Sequence, residues 1–81
     1  MFEREVEIWW VYRHFKWNEY KVIAVAEHTE TGEMLVVYQA LYWEQKVFAR
    51  PYYLFVSEVN HEMYPDIKQK YRFEKIWTNN E

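Results

Sequence analysis

Residues 20–28, YKVIAVAEH, and residues 34–42, MLVVYQALY, are two blocks of β-branched and aromatic side chains, separated by a short polar segment that holds the only glycine of the chain, Gly32. Blocks of this length and composition favour strands, and a polar, glycine-bearing segment between them is a hairpin signal, because glycine adopts positive φ without steric cost. The rest of the chain follows the same pattern. Residues 6–16 read as an earlier strand, joined to the first block through WNE, where Asn18 suits a left-handed turn position. Residues 47–50 form a short strand before Pro51, residues 52–55 a single helical turn, and YRFEKIW alternates as a last strand after a polar loop holding Pro65. There is no helical repeat longer than about three turns, no internal duplication and no Ser-, Gly- or Pro-rich linker. The pattern predicts an all-β domain of five or six short antiparallel strands. A small SH3-like barrel is the expected closure, since a flat open sheet leaves one apolar face uncovered. Residues 1–77 are assigned to this single domain, and 78–81 (TNNE) to a frayed tail.

A chain of 81 residues buries only about 60% of its unfolded surface, so each large apolar side chain left outside needs a reason. This one carries five Trp, eight Tyr and five Phe beside its single Gly, more rings than a small core holds. With no cysteine there is no disulfide framework and no thiolate metal site, and a cytoplasmic setting is expected. Glu3, Arg4, Glu5 and Glu7 interrupt any hydrophobic opening, so no signal peptide is expected, and the apolar runs fall far short of the roughly 20 residues that span a bilayer. The net charge of −3 disfavours a polyanion as partner. KQKYRFEK, residues 68–75, interleaves basic and aromatic residues as a single-strand nucleic-acid surface would, yet its alternation fits an ordinary half-buried strand better.

The order VYRHFKWNEYKV, AEHTETGEMLVVYQALY and RPYYLF resembles the bacterial domain-of-unknown-function 1653 family over about residues 11–59. Tyr12, Arg13, His14, Phe15, Asn18, Tyr20, His28, Glu30, Gly32, residues 36–42, Arg50, Pro51 and Phe55 match its pattern. The resemblance implies a small all-β cytoplasmic domain and brings no reaction, cofactor or partner with it. Where the family has turn glycines, this chain has Trp17 and Trp43; where the family has a tryptophan it has Phe48, and Tyr52 replaces a leucine. A side chain in place of a glycine at positive φ costs of order 1 kcal/mol. One reading of these departures is an engineered variant of a family scaffold with a new aromatic surface.

Two candidate sites follow. Trp9, Trp10, Trp17, Trp43, Phe48, Tyr52 and Tyr53 are the first: if they gather on one side of the barrel they form a protein-binding surface for a partner or a second copy, with Glu44, Gln45 and Lys46 as polar rim. Strand parity sets Trp9 with Val11 and Phe15 on the core side and Trp10 with Tyr12 and His14 outward. The second set, Arg13, His14, Gln39 and Arg50, with Tyr42 beside them, are polar residues among apolar strands that suit a small-ligand or nucleotide pocket. Against this stands a structural role, such as an Arg50–Glu58 salt bridge. His14, His28 and His61 have no metal-motif spacing, and the one serine, Ser57, lies in no nucleophile motif, so neither a metal, a cofactor nor catalysis is expected. The reading is a non-enzymatic binding domain.

Overall fold

The computed structural model describes residues 5–78. Five strands form one antiparallel sheet: β1 (Trp10–His14), β2 (Glu19–Glu27), β3 (Met34–Ala40), β4 (Val47–Pro51) and β5 (Phe73–Thr78), in the order β4-β3-β2-β1-β5. A single helical turn, α1 (Tyr52–Phe55), follows β4 directly. The expected hairpin is β2–β3: His28 and Glu33 close it, with Gly32 at φ 76° and its N–H on the His28 carbonyl. Thr78 ends β5 opposite Trp10, so it is strand and not tail. Residues 79–81 lie outside the described residues.

The five antiparallel strands of the expected all-β domain are present, but the sheet is open, so the closure expected of an SH3-like barrel does not form among the described residues. β4 and β5 are edges with no hydrogen-bond ladder between them. The concave face is covered by a curl and a plug. Tyr12, Val22, Val36, Tyr38 and Phe73 from four strands converge on Tyr52 and Phe55 of α1 in one buried cluster. Phe55 stacks on Phe73 at 4.1 Å, and the Tyr38 ring lies 5.5 Å from Phe73 although two strands, β2 and β1, separate β3 from β5. At the rim the Arg50 guanidinium of β4 sits 5.4 Å above the Phe73 ring of β5. Side chains, not backbone, bring the two edges together.

Two irregularities set the curvature and the phase. Between Val22 and Ala24 the β2–β3 register skips Ile23, so the inward positions run Tyr20, Val22, then Val25. Between Val11 and Tyr12 the β1–β5 register shifts in the same way. Before β1 the chain is tied down by two buried phenols: the Val6 N–H donates to the Tyr52 hydroxyl at 2.8 Å and the Glu7 N–H to the Tyr12 hydroxyl at 2.9 Å.

Candidate functional site: a cationic pocket under the β1–β2 turn

The aromatic residues singled out from the sequence do not gather. Tyr52 is part of the core cluster, and Trp10 packs against that cluster with the Lys75 ammonium 4.4 Å above its ring. The parity argument for Trp9 and Trp10 is therefore reversed. Regular strand begins only at Trp10, and the Tyr12 side of β1 faces the core, while Trp9 lies in the preceding turn at φ 74° and is exposed. Trp17 and Trp43, 70% and 92% exposed, occupy the β1–β2 and β3–β4 turns at one end of the sheet. Tyr53 is exposed on α1. Trp43 and Phe48 share a concavity, lined also by Tyr42, Glu44, Gln45 and Lys46, the expected polar rim.

The polar set divides as well. Arg13 pairs with Glu19 at 3.4 Å, and its guanidinium lies 5.5 Å from the Trp17 ring. The Gln39 amide donates to the Gln45 carbonyl and braces the β3–β4 turn, and the Tyr42 hydroxyl bonds that of Tyr20 at 2.7 Å. These residues hold the structure. His14 and Arg50, by contrast, meet in a cavity of about 400 Å³ lined by His14, Phe15, Lys16, Arg50, Asn60, Met63, Tyr64 and Arg72.

Four chain segments build this cavity. β1 ends at His14 in a tight turn, where the Trp17 N–H donates to the His14 carbonyl and the His14 N–H to the Asn18 carbonyl; this presents Phe15 and Lys16. β4 supplies Arg50 one residue before Pro51 ends the strand. Residues 60–64 form a polar turn in which the Asn60 side chain accepts from the N–H groups of Glu62 and Met63, so that Tyr64 lies 5.0 Å from buried Phe15. Arg72 is anchored through its backbone, its N–H donating to the Ser57 carbonyl and its carbonyl accepting from the Phe15 N–H.

The electrostatics of the cavity are one-sided. No Asp or Glu lines it, and neither Lys16, Arg50 nor Arg72 pairs with a carboxylate among the described residues. The salt bridge expected as the structural role of Arg50, to Glu58, does not form. Arg72 keeps its Nε–H buried with no acceptor among the described residues, a state that costs free energy. Lys16 lies 5.8 Å from the Phe15 ring and 5.6 Å from that of Tyr64. His14 reports the field: burial first, then the charges of Arg50, Lys16 and Arg72, lower its pKa to about 4. Its Nδ1 accepts from the Lys16 N–H at 3.1 Å, so the neutral ring carries its proton on Nε2. A neutral imidazole and three cations line one cavity, and guanidinium and ammonium groups are the donors that carboxylates and phosphates pair with. Among the described residues no group of three or more His, Asp or Glu is placed to hold a metal ion, and no helix is long and apolar enough to cross a membrane.

A family model described as a protein of unknown function, DUF1653, matches residues 10–75. The chain belongs to the DUF1653 family. A crystal structure of a DUF1653 protein from Bordetella bronchiseptica is similar at a TM-score of 0.71 and 27% identity, covering 84% of this chain and 85% of that one. No curated protein matches the chain. Family membership thus confirms the resemblance read from residues 11–59 and extends it to β5. The cavity of this DUF1653 domain draws on residues inside the resembling stretch, His14 and Arg50, and on Asn60, Tyr64 and Arg72 beyond it. Lys16, Tyr64 and Arg72 were not singled out as site residues from the sequence. Only the basic run around Arg72 gave any signal, and nothing local marks Tyr64.

Proposed function

We propose that this domain binds a small phosphorylated molecule, without turning it over, in the cavity between the β1–β2 turn and β4. The observation that carries the reading is the convergence of Arg50, Arg72 and Lys16, unpaired with any carboxylate, on one concavity of a chain whose net charge is −3. Phosphate suits this set because two guanidinium forks and an ammonium can share its three terminal oxygens. A phosphate alone would fill little of about 400 Å³. Phe15, Met63 and Tyr64 form the remaining wall, which suits a ligand with a ring or apolar portion beside its charge. A chain with no cysteine is at home with such metabolites in the cytoplasm.

Calorimetric titration tests this with inorganic phosphate and with a nucleoside monophosphate. The monophosphate should bind more tightly than phosphate, and Arg50→Ala or Arg72→Ala should each weaken it about tenfold or more, while Arg13→Ala should have little effect. Absence of binding by either probe at millimolar concentration refutes the reading.

A second reading, contact with a partner protein or a second copy, rests on Trp43 and Phe48, which share a concavity with the rim residues Glu44, Gln45 and Lys46. It requires an apparent mass that rises with concentration in light scattering and a Trp43→Gly variant in which the rise is lost.

A further inference from the structure

Three of the five tryptophans occupy backbone that a tryptophan does not favour. Trp9, Trp17 and Trp43 have φ of 74°, 80° and 51°, a region open to glycine and tolerated by Asn or Asp, where a bulky side chain is an outlier. The backbone uses these conformations. The Trp9 N–H donates to the Val22 carbonyl just before β1, and the Trp17 N–H closes the β1–β2 turn on His14. Trp43 lies inside the β3–β4 turn spanned by the bond from the Gln45 N–H to the Tyr42 carbonyl. A side chain can justify such a position by packing, and these do not pack. Their exposures are 51%, 70% and 92%. Trp9 and Trp17 each have one cation near a ring, and Trp43 meets the edge of Tyr42. Trp10, which lies in regular strand and packs on the core, is the contrast within the same chain.

Composition points the same way from an independent direction. Glycine makes up about 7% of ordinary globular chains, which would be roughly six residues here, and this chain has one beside five tryptophans. That one glycine, Gly32, also sits at positive φ. Exchange of these three tryptophans for glycine would leave four glycines and two tryptophans, closer to the ordinary composition on both counts.

We propose that positions 9, 17 and 43 are glycine in the protein as its own cell makes it, each encoded by a UGA that is decoded there as glycine and rendered as tryptophan in this sequence, while Trp10 and Trp77 are encoded by UGG and are tryptophan in both. One reassigned codon is sufficient: UGA is read as stop, tryptophan or glycine in different genetic codes, and a reassignment acts on every occurrence alike. The fold is unaffected, since none of the three indoles belongs to the core cluster, and neither is the anion cavity, which none of them lines. The exposed aromatic surface disappears, and with it the case for partner contact through Trp43.

Peptide sequencing by mass spectrometry of the protein isolated from its source should find glycine at 9, 17 and 43 and UGA at all three codons of the gene. Tryptophan at any one of the three, or UGG at any of their three codons, overturns the proposal. Recombinant protein tests the backbone argument separately. The Trp9→Gly, Trp17→Gly, Trp43→Gly triple variant should melt higher than the tryptophan form by roughly 10 °C, and an equal or lower midpoint overturns the premise that these positions require glycine. Phosphate affinity should be the same in both recombinant forms, so a failure of the anion site shows as no binding in either and is distinguishable from a failure here.

Discussion

At the residue scale, His14 shows how the cavity acts on its own lining. In the unfolded chain an imidazole titrates near 6.5; in the fold burial and the cations Arg50, Lys16 and Arg72 lower it to about 4. Between these values the unfolded state holds more protons, so stability rises with pH across that window, is full above it, and is lost as pH falls toward 4. The ring is only half buried, and after solvent screening the loss amounts to about 1–2 kcal/mol. Urea unfolding at pH 7 and at about pH 4.5 should therefore show His14→Gln losing less stability on acidification than the parent chain, by about 1 kcal/mol. Equal losses would mean that the ring is not held neutral. Single residues were also where sequence reasoning failed. Parity assigned Trp9 inward and Trp10 outward because it was counted through a strand assumed to begin at residue 6. The strand begins at Trp10, and the Trp9 backbone is left-handed, a fact that no alternation of side chains contains. Once a strand start is misplaced by a few positions, every inward and outward assignment near it is open to reversal.

At the element scale the sequence was far more readable. The β2–β3 hairpin, the short β4 before Pro51, the single turn of α1 and the alternating β5 all fall where β-branched runs, glycine and proline placed them. These signals are local, and so were visible. Gly32 marks the limit of that local logic. A Cβ built there meets only Glu27 Oε2, at an ordinary 3.7 Å, so the space is available and the obstacle is φ 76°. Gly32→Ala should accordingly destabilise by about 1 kcal/mol through backbone strain alone, measured as a lower denaturant midpoint with an unchanged m-value. Gly32→Asn should recover part of the loss, since asparagine tolerates the left-handed region; an alanine variant as stable as the parent would show that the turn relaxes to negative φ. The same signals did not reveal the closure. Five strands and a helical turn are compatible with a ladder-closed barrel or with an open sheet, and here the rings of Phe55 and Phe73, with Arg50 across them, cover the face that a barrel would have closed by hydrogen bonds.

At the scale of the whole molecule, an acidic chain has a basic cavity, and the sum of charges concealed it. His14 and Arg50 were visible as polar residues in apolar strands, but Lys16, Asn60, Tyr64 and Arg72 join them only because the β1–β2 turn, the loop after α1 and the approach to β5 fold onto one rim of the curled sheet. Contacts of that sequence separation have no local signature. The arrangement costs the protein stability. Three cations around one cavity without carboxylates repel, and Arg72 also buries an unsatisfied Nε–H, so the domain is less stable than its packing allows. Arg72→Met keeps the apolar stem and the backbone bonds to Ser57 and Phe15 while removing the charge. In buffer free of phosphate and other multivalent anions it should raise the unfolding free energy by about 1 kcal/mol. Addition of phosphate reverses the order: the parent chain gains about 2.7 kcal/mol at a hundredfold excess over Kd, the variant gains little, and added sodium chloride weakens the gain by screening. A variant less stable than the parent without anions would instead identify Arg72 as a strut between the β1–β2 turn and the loop after α1, and the cavity as a by-product of that bracing.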